Sequence, residues 1–150
     1  MTHSAHALHI LCVDDDPANR GVFSLILRGL MIGDRPIVVS TARDGAEALE
    51  KWQWSTESSE STFDLIFMDC CMPNMDGYEA TRHIREQEGV NRRVAIVGLT
   101  ALMRSSDRDT CLQAGMDDYL IKPVSIEDLS KTVLKWLPQI LQQRQVEKQA

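Results

Sequence analysis

Five short apolar runs constrain this chain more than any other feature: residues 8–13, 37–40, 64–68, 94–99 and 119–121. Most are rich in Val, Ile and Leu and do not alternate with polar residues, the pattern of strands buried on both faces. Helical spacing fills the intervals. Val22, Ile26 and Leu30 recur every four residues, with Phe23 and Leu27 widening the stripe, and Ile126, Leu129, Val133 and Trp136 line one face in the same way. Ala46, Leu49 and Trp52 suggest a shorter helix. Residues 73–87 and 104–114 carry weaker stripes and are read as helices because strands flank them. Strand–helix alternation repeated five times implies an α/β fold, a doubly wound five-stranded parallel sheet with helices on both faces.

A chain of 150 residues fits one domain. Its expected extent is 8–137, with 1–7 a disordered N-terminus and 138–150 a C-terminal helical extension or linker. Pro138 is expected to interrupt or re-aim the last helix near Leu137. The polar stretch 55–62 reads as a mobile surface loop.

The net charge of −6 argues against direct nucleic-acid binding, which needs a basic face to neutralise phosphates. No apolar run approaches the ~20 residues that span a bilayer, and no secretory signal is visible. The expectation is a cytoplasmic chain that makes no membrane contact. Cys12, Cys70, Cys71 and Cys111 lack metal-ligand spacing and read as reduced, mostly buried thiols, with a strained Cys70–Cys71 disulfide the minor reading. His3, His6 and His9 are spaced by three, but the first two fall in the expected disordered terminus and are not read as a metal site.

In an open parallel sheet, functional groups collect just beyond the carboxyl ends of the strands. Here the first strand ends in Asp14-Asp15-Asp16, the third in Asp69 and the fourth in Thr100-Ala101, and the fifth runs into Lys122-Pro123. Acids brought together from two strand ends repel unless a cation is present or some are protonated. Hard carboxylate oxygens suit Mg²⁺, which binds through one or two carboxylates and a phosphate and neutralises a transferring phosphoryl group. Lys122 can pair with a phosphoryl oxygen and Thr100 can donate a hydrogen bond to another, completing the set for a carboxylate nucleophile. Singly, each residue has a duller reading. Asp16 before Pro17 is a helix N-cap, Lys122 a loop charge and Thr100 a turn cap. Their joint occurrence in order favours the chemistry.

Four motifs then carry a resemblance: Ile10-Leu11-Cys12-Val13-Asp14-Asp15-Asp16, Met68-Asp69-Cys70-Cys71-Met72-Pro73-Asn74-Met75-Asp76-Gly77, Leu99-Thr100-Ala101, and the stretch from Ala114 through Asp117-Asp118-Tyr119 to Lys122-Pro123. Across 8–137 the chain resembles the response-regulator receiver family of two-component signalling, both free-standing receivers and those attached to hybrid histidine kinases. The resemblance implies a flavodoxin-like sheet of order 2-1-3-4-5, with Asp69 as phosphoacceptor. It implies Mg²⁺, with Mn²⁺ as the alternative, held by Asp14, Asp15, Asp69 and the backbone carbonyl of Cys71. Thr100 and Tyr119 would be the switch pair, Lys122 would contact the phosphoryl oxygens, and Lys122–Pro123 would be cis. The donor would be a histidine kinase or a histidine-phosphotransfer protein. Output to a downstream protein would use the fourth helix, fifth strand and fifth helix, and a phosphorylation-dependent homodimer the fourth and fifth helices. Such a chain is a signalling switch, not an enzyme, catalysing only its own phosphorylation and slow self-dephosphorylation. Cys71 and Leu102 would flank the phosphoryl group without orienting water, so a long-lived aspartyl phosphate is expected.

Three other readings compete. A degenerate receiver used only for docking typically lacks an acid or the lysine, and this chain keeps them. Haloacid-dehalogenase-like phosphohydrolases use a second Asp where Cys71 stands. A flavin-binding sheet wants a hydroxyl-rich loop where Asp14-Asp15-Asp16 stands.

Overall fold

The computed structural model describes residues 7–30, 32–57, 61–89, 93–101 and 105–149. The elements alternate as β1 (Leu8–Val13), α1 (Pro17–Arg28), β2 (Ile37–Ala42), α2 (Gly45–Ser55), β3 (Leu65–Asp69), α3 (Gly77–Gln87), β4 (Ala95–Thr100), α4 (Ser105–Ala114), β5 (Asp118–Ile121) and α5 (Ile126–Gln149). All neighbouring strands pair in parallel, in the order β2-β1-β3-β4-β5.

Side chains on successive strand positions point to opposite faces, so each continuous apolar run feeds two cores. On one face Leu11, Val13, Ile66, Met68 and Ile96 pack with Ala48, Trp52, Ala80, Ile84 and Cys111 from α2, α3 and α4. On the other, Ile10, Cys12, Leu65, Phe67 and Val97 pack with Leu27, Leu129 and Val133 from α1 and α5. A strand covered on both sides leaves no room for polar alternation, which is why these runs are uninterrupted.

Several local expectations need correction. Val22, placed on the buried stripe of α1, is exposed, and the stripe runs instead through Phe23, Ile26, Leu27 and Leu30. Ile126 is likewise exposed at the start of α5. Residues 73–76 are not helical; Asp76 caps α3, its side chain accepting from the Glu79 N–H at 2.8 Å. Ser55 belongs to α2 rather than to the polar loop and is buried, its hydroxyl donating to the Trp52 carbonyl at 2.7 Å. Residues 58–60 of that loop lie outside the described residues, as do His3, His6 and Leu102.

Pro138 does not end α5. A proline leaves the carbonyl four residues earlier without its helical donor, but here that residue is Leu134, which faces solvent. Beyond the proline, Ile140 is buried, and Arg144 pairs with Asp64 (2.6 and 2.8 Å) and donates to the Ala7 carbonyl at 3.3 Å. These contacts hold the second half of the helix across the N-terminal end of the sheet. Among the described residues, no helix is long and apolar enough to cross a membrane.

Candidate functional site

Strands β1 and β3 lie side by side with Val13 opposite Met68, so the residues just past each strand emerge together. Asp14 and Asp69 are 1% and 3% exposed, while Asp15 is exposed. Carboxylate oxygens of Asp14, Asp15 and Asp69 lie within 4.8 Å of one another, a donor set that could hold a metal ion. Lys122 lies just past β5 and reaches across, its Nζ 3.0 Å from Asp69 Oδ2 and 3.5 Å from Asp14 Oδ2.

Burial pushes the Asp69 carboxyl above its ordinary range; the Lys122 hydrogen bond and charge oppose this, and the charge of Asp14 reinforces it. Lys122 shows the complementary balance. Burial disfavours its ammonium, but the hydrogen bond to Asp69 and the charges of Asp69 and Asp14 outweigh that and hold its pKa above the usual lysine value. One ammonium among three carboxylates leaves excess negative charge, which a divalent cation would relieve.

The loops are fixed by their own chemistry. Asp14 Oδ1 accepts from the Asp16 N–H at 2.9 Å, and its carbonyl accepts from Arg20 at 2.8 Å. Asp16 is the N-cap of α1 with Pro17 at the first turn, the role its sequence position suggests. The Cys71 N–H donates to Asp69 Oδ1 at 3.3 Å, and the Gly77 N–H returns to the Cys70 carbonyl at 3.1 Å. Lys122–Pro123 is cis.

Thr100 ends β4 and is buried, and the Thr100 carbonyl accepts from the Lys122 N–H at 2.8 Å; Asp69 pairs in register with the neighbouring Leu99. Tyr119 pairs with Gly98, further down the sheet from the carboxylates, and is half-buried against the core beneath α4. The Arg108 guanidinium lies 5.9 Å from its ring centre. The fold therefore gathers Asp14, Asp15, Asp69 and Lys122 directly, sets Thr100 on the adjacent strand end, and keeps Tyr119 apart from the acids. All four cysteines are free: Cys71 is exposed, while buried Cys70 has its sulfur 3.8 Å from that of Cys111.

A second set of residues borders the site without having been singled out in the sequence. Asp44 caps α2 through the Glu47 N–H at 2.8 Å, and its other oxygen accepts from Asn74 Nδ2 at 3.2 Å. The Gly45 N–H donates to the Met75 carbonyl at 2.9 Å. The spacing Asp44-x-x-Glu47 is a helix-start signal visible in the sequence; the reach to Asn74 is not.

A family model described as "Response regulator receiver domain" matches residues 10–134. The chain is 40% identical over 135 residues to Sensor protein GacS of Pseudomonas syringae pv. syringae, covering 89% of this chain but 14% of that protein. The chain thus spans about one-seventh of that relative. The receiver domain of sensor histidine kinase PA1611 from Pseudomonas aeruginosa PAO1, solved with a magnesium ion coordinated in its active site cleft, superposes with a TM-score of 0.71 at 39% identity (88% of this chain, 98% of that one). The receiver domain of Ssk1 in co-crystals with the Saccharomyces cerevisiae histidine phosphotransfer protein Ypd1 gives a TM-score of 0.72 at 31% identity (87% and 89%). With its sheet order, its acids at two strand ends and a family match over most of its length, the chain belongs to the response-regulator receiver family, the phosphoacceptor switches of two-component signalling.

Proposed function

We propose that Asp69 accepts a phosphoryl group in a reaction that requires Mg²⁺. The observation that carries this reading is a buried carboxylate with an ammonium 3.0 Å away and two further carboxylates within 4.8 Å. An Asp69 oxygen attacks phosphorus, the bond from phosphorus to the donor's leaving group breaks, and an acyl phosphate forms. Asp14, Asp15, Asp69 and the Cys71 carbonyl would hold Mg²⁺, or Mn²⁺ in the same oxygen set, which screens charge on the transferring group. Lys122 exchanges its contact with the free carboxylate for one with a phosphoryl oxygen, and Thr100 donates its hydroxyl to another. Tyr119 follows Thr100 inward. The added charge biases an existing equilibrium between two arrangements. Self-phosphorylation and slow self-dephosphorylation are the chemistry this site performs, in the cytoplasm.

The phosphoryl donor is a histidine kinase or a histidine-phosphotransfer protein. Its docking surface is the outer face of α1, where Leu25 is 75% exposed and Val22 55%. On the flank of α1 that carries Val22, a groove of ~400 Å³ lined by Asn19, Phe23, Ile26 and Pro123 opens onto Asp14 and Lys122. Output runs through α4, β5 and α5, where Leu112, Ile121 and Leu134 face solvent, to a downstream protein or a second copy of the chain.

The test is phosphoramidate or acetyl-phosphate labelling with and without Mg²⁺, read by intact mass on wild type and Asp69→Ala. A Mg²⁺-dependent phosphoryl adduct absent from the variant supports the reading. A folded wild type that gains no adduct would favour a docking module instead.

A further inference from the structure

We infer that Asp44, acting through Asn74, is a positioning residue that sets the affinity of the site for Mg²⁺ by fixing the loop between β3 and α3. The inference rests on the reading of Asp14, Asp15, Asp69 and the Cys71 carbonyl as the metal site.

A backbone carbonyl has no rotamer with which to find a metal; its position is wherever the loop holds it. This loop is tied at its base by the Cys71 N–H to Asp69 and the Gly77 N–H to the Cys70 carbonyl. At its outer end both ties come from the start of α2: Asp44 to the Asn74 amide and the Gly45 N–H to the Met75 carbonyl. The second tie brings two backbones together so closely that a Cβ on Gly45 would lie 2.5 Å from the Met75 carbonyl oxygen. Asn74 has a φ of 68°, a left-handed conformation that costs most residues free energy and that Asn tolerates. A strained turn at that point persists only where neighbours over-determine it.

Asp44 suits the task. It is buried, and its two oxygens serve different partners, one the helix start and one the loop. The Glu47 backbone hydrogen bond, with help from Asn74, outweighs burial and keeps its carboxyl below the ordinary range, so it stays charged. A charged acceptor makes the shared hydrogen bond stronger than a neutral one.

Two substitutions separate this role from simple helix capping. Asp44→Ser keeps a good N-cap but is too short to reach Asn74. Asn74→Gly keeps the left-handed turn but removes the amide. On the full chain, MgCl₂ is titrated by calorimetry and labelling with phosphoramidate is measured against Mg²⁺ concentration, with circular dichroism checking the fold. Each variant should raise the Mg²⁺ Kd about three- to tenfold, towards the scale of losses seen when groups that orient metal ligands are removed. The half-saturating Mg²⁺ for labelling should rise by the same factor while the plateau rate falls less than twofold. The double variant should be no weaker than the worse single one, because both cut one link. Wild-type Mg²⁺ affinity in both folded variants would overturn the inference. A loss in Asp44→Ser with none in Asn74→Gly would also overturn it, assigning the effect to the cap. A wild type that neither binds Mg²⁺ nor forms an Asp69 adduct overturns the metal-site reading itself, and the inference falls with it.

Discussion

The Lys122 ammonium sits 3.0 Å from Asp69 and 3.5 Å from Asp14, bridging the carboxyl ends of β3 and β1 from the far side of β4. It occupies the space where a cation is most attracted, so under the proposed reading it would compete with Mg²⁺ until a phosphoryl oxygen takes over its contact. Lys122→Gln should therefore tighten Mg²⁺ binding about three- to tenfold, the ~1 kcal/mol of a charge screened as in water, because the flexible lysine side chain is part-exposed and can swing away from the ion. The same change should slow labelling of Asp69 by small phosphodonors at least about tenfold. Calorimetry and intact-mass kinetics on one preparation read both, and parallel loss of binding and labelling would contradict the assignment.

Removing the Asp69 charge should stabilise the metal-free protein. The raised pKa of Asp69 means that its ionised form is disfavoured by folding, first through burial. That penalty is absent below the unfolded-state value and is complete once pH has risen through the folded-state value. Asp69→Asn should raise Tm by about 2–4 °C at pH 7, the response of a chain this size to ~1 kcal/mol. The gain should shrink at pH 4 and with saturating Mg²⁺ at pH 7. Scanning calorimetry under the three conditions tests it.

Gly77 lies under Asp69, where an added Cβ would clash with the Asp69 carbonyl oxygen. Gly77→Ala must move backbone rather than a side-chain tip, and should cost about 1–3 kcal/mol by urea denaturation. Labelling should slow even in the folded fraction. An alanine variant with wild-type stability and labelling would show that the loop relaxes freely.

Transfer and small-molecule labelling should separate on α1. Leu25→Asp changes an exposed side chain away from the carboxylates, so labelling by phosphoramidate should be within twofold of wild type. Transfer from a phosphorylated histidine-phosphotransfer protein should fall at least about tenfold, the loss of one apolar anchor at an interface. Equal effects on both donors would place the docking surface elsewhere.

Truncation after Leu137 removes buried Ile140 and the Arg144–Asp64 pair. It should destabilise the domain by about 2–5 kcal/mol, the range for losing one large buried aliphatic side chain. Urea denaturation of the shortened chain measures this, and unchanged stability would fix the functional boundary at the proline.

Continuous apolar runs and the order of Asp14, Asp69, Thr100 and Lys122 made the sheet and its reactive edge readable in one dimension. Both come from chain-local rules: strands buried on two faces cannot alternate, and parallel strands deliver the loops at their carboxyl ends to one edge. Boundaries were less legible. Val22 and Ile126 fit a helical stripe but face solvent, because the direction of a stripe is set by the partner it meets, not by its spacing. Pro138 reads as a point where the last helix is interrupted or re-aimed, yet α5 continues because Ile140 and Arg144 find partners at the start of β1 and beside β3.

Local signals in the chain were enough for the fold class, the edge of the sheet that collects the acids and the identity of the groups gathered there. Which of those groups touch was a matter of packing in three dimensions. Packing put Lys122 against Asp69 across an intervening strand, left Tyr119 down the sheet from the acids, and joined Asp44 to Asn74 across 30 residues. Periodicity and capping signals act between near neighbours in the chain. A hydrogen bond between two loops depends on how closely two helix starts pack, which the backbones of Gly45 and Met75 settle through space.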